Sequence, residues 1–184
     1  MTLGHKIMTN SRQFVPINIA VLTVSDTRTL ENDKSGDTLE QRIRSSGHFL
    51  ANRSIVPDEK EQIVNVLEKL IANKEIDVIL STGGTGLTGR DVTVEAHKQL
   101  YEKEIEAFGT IFQIVSMKKI GTSAIQSRAC AGVVSGTYLF ALPGSPSACQ
   151  DAWDEILVFQ FDYRHFPCSF VELIPRLDEF ERGK

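Results

Sequence analysis

No apolar stretch in these 184 residues approaches the roughly 20 that a membrane-spanning helix needs; the longest, Ile19–Val24 and Tyr138–Leu142, are short. A basic excess is also missing. The chain carries 20 Lys and Arg against 24 Asp and Glu, a net charge of −4, which argues against a nucleic-acid partner, whose phosphates call for positive charge. Cysteine is scarce: Cys130, Cys149 and Cys168 are odd in number and include no Cys-x-x-Cys pair. That excludes a disulfide framework and a thiolate zinc site, and it fits free thiols in a reducing cytoplasm. None of the four histidines stands at ligand spacing from a cysteine or another histidine, so no structural transition-metal site follows. There is no repeat and no low-complexity linker. Residues 1–15 contain His5, Lys6 and Arg12 but no apolar core of a secretory signal, and they read as a flexible arm.

What is present suits a single domain over residues 16–172 with a C-terminal tail over 173–184: 41% of the chain is hydrophobic and 24% charged. Asn18–Val24 reads as a strand buried on both faces. After a polar loop, Ser25–Gly36, a helix over Asp37–Ser46 is closed by Gly47. Phe49–Val56 is a second strand. Asp58, with Glu61 spaced as in a capping box, can start a helix to about Ala72 whose stripe is Ile63, Leu67, Leu70 and Ile71. Asp77–Ser81 is a third strand. Thr93–Tyr101, Phe108–Ser116 (with Phe108, Ile111, Phe112 and Val115 on one face) and Ser123–Ala129 read as helices. Val133–Val134 and Tyr138–Leu142 flank a Ser135–Gly136 turn and read as a hairpin or adjacent strands. A last helix starts near Ser145–Pro146 and ends before Pro167. Alternating strands and helices predict a mainly parallel sheet covered on both faces, with ligands bound beyond the carboxyl ends of its strands.

The most informative loop is Ser81–Thr93, with Gly83, Gly84 and Gly86 around Thr85. Glycines this dense let consecutive N–H groups approach an anion with no side chain in the way, a phosphate cradle; a tight strand-to-helix turn is the plainer alternative. It is no P-loop, because no Gly-Lys-Ser/Thr follows, and it lacks Gly-x-Gly-x-x-Gly spacing. Asp91, close behind the glycines, is either a helix cap or a magnesium ligand or general base beside bound phosphates. Asp58, at the exit of the second strand, is its candidate partner; together with the cradle the two outline a phosphoryl-transfer site. Ser25 and Asp26 leave the first strand at the same rim and either contact a nucleotide or make an ordinary turn. Pro143 and Gly144 precede a helix start that can bind an anion or simply begin the helix. Arg128 either clamps a phosphate or pairs with a carboxylate.

Taken in order, Thr23-Val24-Ser25-Asp26, Val56-Pro57-Asp58, Thr82–Gly86, Arg90-Asp91-Val92-Thr93, Phe108-Gly109, Gln126-Ser127-Arg128 and Leu142-Pro143-Gly144 resemble the MoaB/Mog family of molybdenum-cofactor biosynthesis proteins, over about Pro16 to Phe170. The resemblance implies a three-layer α/β/α sandwich of the molybdopterin-binding-domain type, assembled as a homo-trimer or homo-hexamer in the cytoplasm. It implies Mg²⁺-dependent transfer of AMP from ATP to molybdopterin with release of pyrophosphate, or, in the alternative, a non-catalytic molybdopterin carrier serving other molybdenum-cofactor enzymes. In family terms Gly83, Gly84, Thr85 and Gly86 hold phosphates and Asp58 and Asp91 are the essential acidic pair. Ser127 and Pro143–Gly144 match contacts on the pterin side. Val94 stands where the catalytic branch is expected to carry proline, and the C-terminal half is closer to the MoaB branch.

Overall fold

The computed structural model describes residues 12–179; most of the N-terminal arm, and the end of the tail, lie outside them. Six strands form one sheet in the order β2 (Phe49–Val56), β1 (Asn18–Val24), β3 (Val78–Thr82), β6 (Thr137–Leu142), β5 (Cys130–Val134) and β4 (Lys103–Glu104). The first four run parallel, and β5 and β4 are antiparallel additions at one edge. Alternation along each strand divides the core into two layers. Ile19, Val21, Val78, Leu80 and Phe140 face one, with α1 (Lys34–Ser45), α4 (Glu106–Ile120) and α5 (Pro146–Ala152). Ala20, Leu22, Ile79 and Leu139 face the other, with α2 (Lys60–Ala72) and α3 (Thr93–Leu100). Helices on both faces of one sheet make the expected three-layer sandwich, because a strand apolar on both sides must be covered on both sides. All four parallel strands end at the same rim, and the loops after β1, β2, β3 and β6 leave from it.

Several boundaries differ from expectation for local reasons. The first helix starts at Lys34, earlier than Asp37, because the Asp33 carboxylate accepts from Gly36 N at 2.9 Å and caps it. Its end is as expected: Gly47 takes φ +85°, Gly47 N donates to Arg44 O and His48 N to Ile43 O, a Schellman closure. Asp58 is not the cap of α2; Glu59 occupies that position without a side-chain bond. The third strand is shifted to Val78–Thr82, and Asp77 instead accepts from Asn18 N at 2.7 Å. Ser123–Ala129 is not an α-helix; a 3₁₀-helix over Gly121–Gln126 continues from α4. Ile111 is 47% exposed and lies off the buried face. The hairpin turn is as expected, with positive φ at both Ser135 and Gly136, which suits the right-handed twist of the flanking strands. The last helix is capped by the Ser145 hydroxyl, which accepts from Ala148 N at 3.2 Å, and passes through a π-helical turn at Trp153–Leu157 into α6 (Val158–Gln160). Residues 170–176 form the short helix α7 (Phe170–Leu173) and a 3₁₀ turn, and Leu177 packs against the core.

Asp33 anchors the start of α1 from inside the protein. It is fully buried, accepts from Thr23 Oγ1 at 2.7 Å, and faces Arg53, which also pairs with Asp37 and Glu40. Burial pushes this carboxyl up, but the bonds from Thr23, Gly36, Arg53 and Ser35 outweigh it and leave the pKa below the ordinary range. Its contribution is therefore present above the unfolded pKa of about 3.9 and lost as pH falls through the lower folded value. Asp33→Ala leaves the Arg53 guanidinium short of one partner, with an expected loss of about 3 kcal/mol in urea unfolding at neutral pH. That loss shrinks on acidification below the unfolded value.

Candidate functional site

The glycine turn begins where β3 is bolted to the end of β6: Gly83 N donates to Leu142 O at 3.1 Å and Thr82 Oγ1 to Pro143 O at 2.9 Å. Gly83 (φ +100°) and Gly84 (φ +61°) are both left-handed, a conformation glycine adopts at little cost. Three consecutive carbonyls then point at protein donors. Gly83 O accepts from Thr93 Oγ1 at 2.8 Å, Gly84 O from Thr93 N at 2.9 Å, and Thr85 O from Arg128 Nε at 2.9 Å. The N–H groups of Gly84 and Thr85 donate to no acceptor among the described residues. Tied carbonyls and unclaimed amides are what an anion-binding turn requires.

Both candidate acids lie against this turn. A Cβ on Gly84 would stand 2.8 Å from Asp58 Oδ1, and one on Gly86 2.7 Å from Asp91 Oδ2. Asp58 is held by reciprocal bonds with Asp26: Asp26 N donates to Asp58 Oδ2 at 2.9 Å, and Asp58 N to Asp26 Oδ1 at 3.1 Å. Arg90 adds Nη2 to Asp26 Oδ2 at 2.6 Å. Asp91 accepts from Thr88 N at 2.8 Å and Thr88 Oγ1 at 2.6 Å, so it closes the 88–91 turn and does not cap α3, whose cap residue is Val92. The two carboxyls are tuned in opposite directions. Partial burial pushes Asp58 up, and the neighbouring charges of Asp26 and Asp91 add to the rise. The Thr88 hydroxyl holds Asp91 below its ordinary value, as Arg90 does Asp26. No three His, Cys, Asp or Glu side chains among the described residues gather into a metal-binding group, so any cation here would take its other ligands from phosphate and water.

The structure also brings Pro143–Gly144 to the turn: a Cβ on Gly144 would lie 3.0 Å from Gly83 Cα. Ser127 borders a small cavity of about 70 Å³ shared with Pro143 and Ser145. The Ser25 hydroxyl accepts from the backbone N of Thr27 and Arg28, each at 3.2 Å, and so shapes its own loop. Arg128 pairs with Glu95 while holding Thr85 O and Asp91 O; of the two readings, carboxylate pairing is the one realised. Sequence reasoning passed over Thr93 and Thr88, whose hydroxyls hold the turn and its acid. The only available signal was their place within the Thr88–Thr93 segment itself. A larger cavity, about 590 Å³, lies by the Ser135–Gly136 turn, at the other end of β6 from this rim.

Residues 20–162 match the family described as "Probable molybdopterin binding domain". The "Molybdenum cofactor biosynthesis protein B" of Escherichia coli (strain K12) is 43% identical over 160 residues, 87% of this chain and 94% of that protein. The "Probable molybdopterin adenylyltransferase" of Methanocaldococcus jannaschii is 41% identical over 143 residues, 74% of this chain and 85% of that one. A crystal structure of a molybdenum cofactor biosynthesis protein B superposes with a TM-score of 0.79 at 32% identity, covering 94% of this chain and all of the other.

Proposed function

We propose, since this chain belongs to the molybdopterin-binding domain family, that it transfers AMP from ATP to the terminal phosphate of molybdopterin. An oxygen of that phosphate attacks the α-phosphorus of ATP, the bond from that phosphorus to the β-bridging oxygen breaks, and pyrophosphate leaves. One observation carries the reading: Asp58 and Asp91 press on the same glycine turn from within 3 Å of where its missing Cβ atoms would be. Phosphoryl-type transfer asks mainly for positioning and charge compensation, and this rim supplies both. Gly84 and Thr85 N–H groups bind phosphate oxygen, and the Thr93 and Arg128 bonds keep the turn preset. Asp58 fits one ligand of a Mg²⁺ ion, with Asp91 as the proposed second: Oδ1 of Asp58 accepts no hydrogen bond among the described residues, and burial beside two other carboxylates raises its affinity for positive charge. Mg²⁺ held there would supply neutralisation of the phosphate charge. ATP, Mg²⁺ and molybdopterin incubated with the protein are expected to yield adenylylated molybdopterin and pyrophosphate, read by chromatography. Absence of that product under saturating binding would sink the reading.

A second reading, a non-catalytic carrier that hands molybdopterin to other molybdenum-cofactor enzymes, is favoured by Asp91, whose Oδ2 is already occupied by both Thr88 donors. Tight binding of molybdopterin without ATP-dependent product would select it. Among the described residues no helix is long and apolar enough to cross a membrane, and we place the work in the cytoplasm.

The same proposal includes a homo-trimer or homo-hexamer. Ile111, Ile114, Met117 and Ile120 of α4 and Ile125 beyond it are exposed, Ile125 by 80%, a patch of the kind that marks an interface. Ile114→Glu together with Met117→Glu is expected to shift the protein to a smaller species in light scattering while leaving the far-ultraviolet dichroism unchanged. An unchanged mass would remove α4 from the interface.

A further inference from the structure

We propose that His97 is a positioning residue, which through Ser81 seats α3 and thereby sets the glycine turn and Asp91; the inference rests on the function argued above. His97 is completely buried on α3. Its Nε2 lies 2.9 Å from Ser81 Oγ and its Nδ1 3.3 Å from the Tyr101 hydroxyl, which in turn lies 3.2 Å from Cys130 Sγ. The four groups form one unbroken polar chain from β3 through α3 to β5. Either order of protons satisfies every link: the thiol donates to tyrosine, tyrosine to imidazole and imidazole to serine, or serine donates to imidazole, imidazole to tyrosine and tyrosine to sulfur. Burial pulls the imidazole down to about 3, so the ring is neutral at working pH and acts by geometry.

The surroundings are built around this chain. A Cβ on Gly132 would lie 2.4 Å from the Tyr101 ring, so glycine on β5 is what admits the tyrosine. Tyr101 packs against the apolar layer that holds Ala96, Leu139 and Val134, and beside such a layer a polar chain specifies one arrangement where hydrophobic packing alone tolerates several. Its Ser81 end adjoins the functional loop, and its Cys130 end lies two residues from Arg128. Ser81 stands just before Thr82 and Gly83 on β3. Beyond Cys130's strand, Arg128 holds Thr85 O and Asp91 O and pairs with Glu95 of α3. Thr93, the first residue of α3, holds Gly83 O and Gly84 O. A displacement of α3 therefore moves the Thr93 bonds to Gly83 O and Gly84 O and the Glu95 partner of Arg128, which holds Thr85 O.

The test separates the two ends of the imidazole. A glutamine amide reaches the place of Nε2, and an asparagine amide that of Nδ1. His97→Gln keeps the Ser81 bond and is expected to retain kcat/KM for adenylyl transfer within about twofold, whereas His97→Asn loses the Ser81 bond and falls about tenfold or more, as small misplacements do. Both variants give up one link and some ring volume, so their Tm values drop alike. Ser81→Ala reproduces the asparagine defect, and Ser81→Ala combined with His97→Asn is no worse than either alone. Equal activity in the two His97 variants, or activities that follow Tm, overturns the proposal. Molybdopterin titration runs in parallel. A wild type that binds but does not transfer would fail the adenylyltransferase reading alone, and the same Gln-over-Asn order in Kd would then decide this one.

Discussion

Asp58→Asn is expected to lower adenylyl transfer about a hundred- to thousandfold, the scale of removing one preorganised charge-compensating group, while leaving the folded protein no less stable at neutral pH. The two halves of that result come from one cause. Partial burial, with Asp26 and Asp91 nearby, raises the Asp58 pKa in the folded state. A raised carboxyl pKa means that the favourable contribution belongs to the protonated form: it is full below the unfolded pKa and is lost as pH rises through the folded one. At pH 7 the ionised Asp58 is thus a liability to the fold, and a neutral asparagine that still accepts from Asp26 N removes it. Asp91→Asn is expected to abolish transfer to the same degree but with the opposite sign for stability. Thr88 lowers the Asp91 pKa, so its ionised form stabilises above the unfolded pKa, and the variant loses that increment. Steady-state transfer and urea unfolding of both variants give four numbers. If Asp58→Asn turned over at the unmodified rate, or lost stability at neutral pH as Asp91→Asn does, the division of labour drawn here would be wrong.

The sequence carried the sheet and the glycine turn in plain form, because both are local. Asn18–Val24 is a run that suits a strand covered on both faces, Tyr138–Leu142 reads as a strand beside its turn, and three glycines around Thr85 are few enough residues to be read in one window. What it hid depends on distance along the chain. Asp58 with Glu61 satisfies the spacing of a capping box, yet its carboxylate is taken by the backbone N of Asp26, 32 residues earlier. Arg128 reads as a phosphate clamp or a partner of some carboxylate, and nothing local shows that the fold lays it on Thr85 O, 43 residues away. Asp33 lies in the polar loop Ser25–Gly36 as one of its turn residues, although its bond from Gly36 N and its pair with Arg53 of the neighbouring strand make it the buried anchor that starts α1 early. Along α4 apolar residues run nearly all the way round, so the pattern could not separate Phe108 and Phe112, which are buried, from Ile111 and Ile114, which are exposed. A two-residue strand such as β4 has no period to detect.

Gly83→Ala should disturb the whole glycine turn. Its φ of +100° lies where an L side chain is strained, and the new Cβ would sit 2.2 Å from Val24 O. That oxygen belongs to backbone at the end of β1, so no rotamer change relieves the clash. Either the turn flips to negative φ and breaks the Gly83 N bond to Leu142 O and the Thr93 bond to Gly83 O, or β1 retreats and carries with it Ser25 and Asp26, whose N–H holds Asp58. Both routes dismantle the phosphate turn. The expected cost is about 2–4 kcal/mol of stability, with molybdopterin affinity reduced beyond about a hundredfold. Gly89→Ala is the control on the same loop: its φ is not left-handed and nothing stands within 4 Å of the added carbon, so binding and Tm should stay near wild type. Calorimetric titration at a temperature where both variants are folded makes the comparison. A folded Gly83→Ala protein that bound molybdopterin as tightly as the Gly89→Ala control would show that the ligand is held elsewhere.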